Sequence, residues 1–177
     1  MRRFIVLSII FLSYTLTITE VEGKVFGEGR VHMSGDIIAS ACAIEAGSAF
    51  QSVNLGAIPI KNIEKEGYSS EVEFNIRLTN CELTPSYQRG FQGVRVTFDG
   101  VRSDDGMSIV TQGDAQGVGL VIKDALGKDV IPGVAQSEIG LSPGDMVLKY
   151  SLHLSKIRHQ IKTGTFQANV RFMLEYL

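Results

Sequence analysis

The chain has 177 residues, and among them only two cysteines and three histidines. It also has no tract of one charge. Each shortage excludes something. Neither Cys42 nor Cys81 sits in C-x-x-C spacing, which argues against thiol redox catalysis. His32, His153 and His159 show no metal-ligand spacing, and the last two are expected on a strand end and in a loop. Asp99, Asp104, Asp105 and Asp114 do not fit a calcium-binding loop and read as turn residues. The patterns G-x-S-x-G, H-E-x-x-H and the phosphate-binding loop are all missing. No carboxylate pair stands out for acid–base work. The formal net charge is −2, and no basic run interleaves with aromatics, so a nucleic-acid partner is not expected. Lys156, Arg158, His159 and Lys162 form a basic stretch that reads as a solvated loop. No enzyme, metal or cofactor is implied.

Long apolar runs are equally scarce. The stretch from Phe4 to Leu16 follows Arg2 and Arg3 and falls short of the ~20 residues a membrane span needs. It reads as the core of a secretory signal over residues 1–23, with cleavage expected after Val21-Glu22-Gly23 and Lys24 as the first residue left. Losing Arg2, Arg3, Glu20 and Glu22 leaves the net charge unchanged. About 150 residues then remain, a usual size for one domain. Neither an internal repeat nor a linker divides them. An even cysteine count in an exported chain predicts a Cys42–Cys81 disulfide. For a loop of this length the chain-entropy model assigns roughly 4 kcal/mol of stabilisation.

What the chain does contain is period-two alternation. Val72, Phe74, Ile76 and Leu78 share one face, as do Val94, Val96 and Phe98. Val118, Leu120 and Ile122 follow, ended by Asp124 and Gly127. Met146, Leu148, Tyr150, Leu152 and Leu154 make a longer strand after Ser142-Pro143-Gly144-Asp145. Phe166, Ala168, Val170, Phe172, Leu174 and Tyr176 close the series. About seven short strands and one bridge predict an all-β, immunoglobulin-like sandwich. Residues 58–67 read as loop or a single helical turn, and residues 104–116 as a long surface loop. A domain seldom closes on its most regular core strand unless another strand pairs with it. A second alternating stretch lies near the other end: Val25, Gly27, Gly29, Val31, Met33 and Gly35 share one face, and Phe26, Glu28, Arg30, His32 and Ser34 the other. Together these predict a subunit that polymerises by lending a strand to its neighbour.

Several segments also resemble a known family. Gly35 stands seven residues before Cys42. Val53-Asn54-Leu55-Gly56 follows, then Phe74-Asn75-Ile76-Arg77-Leu78-Thr79-Asn80-Cys81, Val96-Thr97-Phe98-Asp99-Gly100 and Gly117-Val118-Gly119-Leu120-Val121-Ile122. Gly164 is the fourteenth residue counted back from Leu177, and Tyr176 is penultimate. In this order and spacing the chain resembles the pilins of the chaperone–usher pathway. Phe98-Asp99-Gly100-Val101-Arg102 is most similar to the minor subunit that terminates and anchors P pili, and a shaft subunit stays open beside it.

The resemblance implies a sandwich lacking its last strand over residues 36–177, with an N-terminal donor-strand extension at 24–35. Chaperone–pilin complementation is an established case of strand addition. The implied donor residues are Gly27, Gly29, Val31, Met33 and Gly35. The implied acceptor groove and chaperone-binding surface comprise Gly164, Phe166, Val170, Phe172, Leu174, Tyr176 and Leu177, with residues 72–78 forming part of the other wall. The implied partners are a periplasmic chaperone, an outer-membrane usher and neighbouring subunits. The destination is the cell-surface fimbrium, reached through the periplasm, with a contribution to cell adhesion. A sugar-binding adhesin is the alternative from another class.

Overall fold

A computed structural model describes residue 27 and residues 29–35, 41–83 and 90–177. The expected signal segment, and the alternating positions Val25, Phe26 and Glu28, lie outside these. Residues 1–37 and 38–177 form separate units. In the first, the described residues carry no helix or strand, and Val31 and Met33 are 84% and 86% exposed.

Among the described residues of the second unit eleven strands are assigned. They are β1 (Ala43–Ile44), β2 (Val72–Cys81), β3 (Gly93–Asp99), β4 (Ile109–Val110), β5 (Gln112–Gly113), β6 (Val118–Lys123), β7 (Asp129–Val130), β8 (Ile139–Gly140), β9 (Gly144–Lys156), β10 (Phe166–Gln167) and β11 (Arg171–Tyr176). Two helices interrupt them, α1 (Ala46–Ala49) and α2 (Ile60–Glu66). The larger sheet runs β1-β2-β9-β6-β4, with β7 also on β6; the smaller runs β11-β3-β8, and β10 pairs with β5. All the pairings are antiparallel.

Alternation placed the core correctly. Ile76 and Leu78 from β2, Leu148, Tyr150, Leu152 and Leu154 from β9, and Val118, Leu120 and Ile122 from β6 are buried. From the smaller sheet Val94, Val96 and Phe98 meet them. The Phe98 ring stands edge-on to Tyr150 at 4.8 Å and to Phe74 at 6.0 Å, joining the two sheets. Edge-to-face packing of this kind adds to the burial of large rings. Cys42 and Cys81 are bonded. Beside the bridge the β2–β9 register shifts between Leu78 and Cys81, where Asn80 takes φ +52° and its N–H reaches the Asp145 carboxylate. Asparagine tolerates that region better than most residues. The result is an immunoglobulin-like sandwich that is open along one side.

Two expectations for irregular segments are corrected. Residues 104–116 are not one surface loop: β4 and β5 lie within them, and Ser108 and Ile109 are buried. The Asp105 carboxylate accepts the Met107 and Ser108 N–H groups, a turn that returns the chain to β6. A turn signal followed by only two strand residues leaves too short a period to read. Residues 58–67 hold the seven-residue α2, which ends as the Gly67 N–H bonds to the Ile63 carbonyl.

The face of β9 and β6 turned away from the core carries a titratable cluster. Lys123 Nζ lies 2.6 Å from a Glu71 oxygen, and Ser151 Oγ donates to the other at 2.8 Å. His153 is buried beside them with the Tyr68 ring edge-on at 5.8 Å, and its Nδ1 has no partner among the described residues. Burial, then the Lys123 charge, lowers the His153 pKa, against a weaker opposing pull from Glu71 and Asp129. The unfolded chain therefore takes up a proton more readily than the folded one. His153 thus supports folding fully above the unfolded value of about 6.5 and loses that contribution as pH falls below it. Glu71, lowered mainly by its bond with Lys123, acts in a separate window below its ordinary value of 4.5. Denaturant unfolding of the full chain should show a loss of stability between pH 7.5 and 5 that is reduced in His153→Phe. Equal slopes for the two proteins would show that His153 does not titrate on unfolding.

Candidate functional site: an open groove along the sandwich

The open side of the sandwich is a groove of about 950 Å³. One wall is residues 164–172; the other is residues 49–56, with Phe74, Phe98, Leu120, Ile122 and Leu152 reaching it from the core. The first wall follows from the sequence pattern. Along 166–176 each even-numbered residue is half-buried and each odd-numbered residue exposed. Complete burial of the even face would need one more layer of side chains. Phe172 leans on Phe98 with ring centres 6.2 Å apart. On the outer face Arg171 pairs with Asp99 at 2.7 Å and Arg95 with Glu175 at 3.5 Å.

This wall is not a continuous strand. β10 pairs with β5, and β11 pairs with β3 from Arg171↔Asp99 to Tyr176↔Val94, while residues 168–170 belong to neither. Gly164 stands where the wall turns away from Asp114. A Cβ on Gly164 would meet Asp114 Cβ at 2.5 Å and the Ala115 nitrogen at 2.7 Å. Any larger residue must push backbone aside, a packing reason for glycine at this position.

The opposite wall differs from expectation. Residues 72–78 lie between β1 and β9, and of them Phe74 lines the groove. Residues 49–56 form the wall itself. β1 leaves β2 after Ile44, and the Glu45 N–H bonds to the Arg77 carbonyl. Ser48 Oγ then accepts the Arg77 N–H, and Gln51 Nε2 donates to the Asn75 carbonyl. These side-chain bonds hold the segment against the β2 edge without a strand ladder. Val53 and Leu55 turn toward the core, and Phe50 is 92% exposed at the rim. Among the described residues, no backbone hydrogen bond ties 51–55 or 168–170 to another strand. Such groups are costly to bury unpaired, so an extended chain laid between the walls would satisfy both. The alternation Val53/Leu55 was the available signal for this wall; two residues are too few to reveal it.

Of the expected acceptor residues, Gly164, Phe166, Val170 and Phe172 line the groove. Leu174, Tyr176 and Leu177 lie beyond its lining. Leu174 packs on the core. Tyr176 donates its hydroxyl to the Cys42 carbonyl at 3.1 Å, with its ring edge-on to Phe91. That bond ties β11 to the disulfide, and burial raises the phenol pKa. The Leu177 carbonyl accepts the Gln92 N–H at 2.7 Å. The expected donor residues Gly27, Gly29, Val31, Met33 and Gly35 are all exposed.

Known proteins are similar to this chain in sequence and in fold. A family model described as Fimbrial protein matches residues 31–177. The chain is 29% identical to the PRS fimbrial minor pilin protein of Escherichia coli, over 88% of this chain and 80% of that one. It is 32% identical to long polar fimbria protein A of Salmonella typhimurium, over 85% and 84%. Among solved structures, the P pilus rod subunit PapA superposes with a TM-score of 0.69 at 26% identity, covering 78% of this chain and all of that one. A chain from the solved structure of a chaperone–usher pilus superposes with a TM-score of 0.68 at 26% identity, covering 89% of this chain and all of that one. The chain therefore belongs to the fimbrial protein family, as a structural pilus subunit of the cell surface.

Proposed function

We propose that the groove accepts an extended strand from a neighbouring subunit, and that residues 24–35 are the strand this subunit lends in turn. The open, half-buried face of 166–172 carries this reading. An apolar groove of that length promotes aggregation if left bare. A periplasmic chaperone fills it first, and the exchange takes place at an outer-membrane usher, after a signal over residues 1–23 has been removed. In the donor, Val31 and Met33 supply the apolar side chains, and Gly27, Gly29 and Gly35 keep the same face narrow. Residues 36–177 form the accepting domain. No catalytic step enters this account.

A second reading is favoured by the similarity to the PRS minor pilin. In it the subunit ends or anchors the polymer, so its groove holds the chaperone strand and takes no subunit after it. Peptide exchange separates the two. The full chain, purified with its chaperone, is mixed with a peptide of residues 24–40. Displacement of the chaperone supports the accepting subunit. A stable chaperone complex in the presence of excess peptide supports the terminator.

A further inference from the structure

The basic stretch read as a solvated loop is held in a fixed concave form. The Gly117 carbonyl accepts the Ile157 N–H at 2.9 Å and the Arg158 N–H at 3.3 Å. Gln116 and Lys162 exchange two backbone hydrogen bonds, of 3.1 and 3.0 Å. Gly117, at φ +84°, passes so close to the Gln160 carbonyl that a Cβ would collide with it. These bonds clamp the loop to the start of β6. Between them lies a concavity of about 680 Å³ lined by Gln116, Gly117, Arg158, His159, Gln160, Ile161 and Lys162.

Its chemistry is one-sided. Two lining residues, Arg158 and Lys162, are cationic and none is acidic, in a chain whose formal net charge is −2 with histidine counted as neutral. Among the described residues Arg158 has one ion-pair partner, Asp104, at 3.9 Å, and both side chains are exposed. An exposed pair at that distance holds its cation weakly. Gln116 and Gln160 add amides that can both donate and accept. None of the lining residues is Phe, Tyr or Trp, so the concavity offers no large ring on which nucleotide bases would stack. Its one apolar lining residue, Ile161, is half-buried and presents no wedge to a membrane.

We propose that this concavity binds the sulfate or carboxylate groups of an acidic polysaccharide outside the cell. A single exposed contact with an anion contributes little. Repetition along a pilus changes this, because a long polyanion engages many subunits at a high effective concentration. The proposal rests on the reading in which the subunit repeats along the polymer, not on the one in which it terminates it.

The test is retention of assembled fibres on immobilised heparin, with neutral dextran and duplex DNA as parallel supports. Fibres should be held by heparin at a salt concentration of about 0.1 M, where the Debye length is ~10 Å, and released as salt rises. They should pass through dextran and bind DNA more weakly. The double variant Arg158→Gln, Lys162→Gln should lose at least tenfold in affinity, while Lys149→Gln on β9 changes nothing. Asp104→Asn, which frees Arg158, should strengthen retention. The proposal is overturned if wild-type fibres pass through heparin, if the double variant is retained like wild type, or if DNA binds as tightly as heparin. Should the double variant form no fibres, Asp104→Asn decides, and no gain counts against the site. Should the wild type itself form none, the polymer reading fails separately. Low-salt binding of the unassembled full chain, lost in the double variant, then still decides the site.

Discussion

Phe172→Asp should abolish capture of the subunit by its chaperone and, with it, incorporation into fibres. Phe172 lines the groove and leans on Phe98 at 6.2 Å. A strand laid in the groove would seal a carboxylate there among Phe74, Phe98 and Leu152. An unpaired charge in such surroundings costs several kcal/mol, enough at ~1.4 kcal/mol per tenfold to cut binding by orders of magnitude. Arg171→Asp is the control on the opposite face. It removes an ion pair with Asp99 in which Arg171 is 84% exposed, and such pairs contribute about 0.2–1 kcal/mol. Copurification with the chaperone, measured for both variants, checks the expectation. A milder groove variant, Val170→Ser, should weaken capture without threatening the fold, because Val170 lies outside both assigned strands. If Phe172→Asp and Arg171→Asp behaved alike, the inner and outer faces would have been exchanged.

The second large effect is expected at the other unit. Val31→Asp or Met33→Asp should leave chaperone binding intact and stop the subunit from being added to the one before it. Both residues are almost wholly exposed here, so neither change disturbs a packed site. Buried in a neighbour's groove, each apolar side chain would contribute roughly 1.5–3 kcal/mol, and a carboxylate in its place would reverse the sign. His32→Asp lies one residue away and faces outward in an extended strand, so it should be tolerated. Pilus incorporation and chaperone binding are measured together for all three variants. Normal incorporation of the Val31 and Met33 variants would remove the donor role from residues 24–35. It would leave the accepting groove untouched.

Much of this was legible residue by residue. Strand alternation reports which side chains face a core, because successive Cβ atoms point to opposite faces. Phe74, Ile76, Leu148, Tyr150, Leu152 and the even positions of 166–176 were therefore placed on the correct face. The turn at Asp124–Gly127 has a local cause: the Asp124 carboxylate accepts the Leu126 and Lys128 N–H groups. The Cys42–Cys81 pairing needed only two cysteines and an oxidising compartment. Partners were harder to read. A period identifies a buried face and is silent about what covers it, so residues 72–78 were expected to form part of a wall to which they give Phe74, while residues 49–56 went unnoticed. That wall has no ladder of its own and rests on the side chains of Ser48 and Gln51, which carry no periodic signal. β4 and β5 are two residues long and owe their place to β6 and β10. His153 looked like a strand-end residue, and only its packing under Tyr68 and beside Lys123 makes it a buried base. The sequence alone determined the long strands, their inward faces and the disulfide, because these depend on neighbours in the chain or on the only available pairing. The tertiary structure decided the second wall of the groove, the clamped basic loop and the burial of His153. Each of these depends on contacts between residues far apart in the chain.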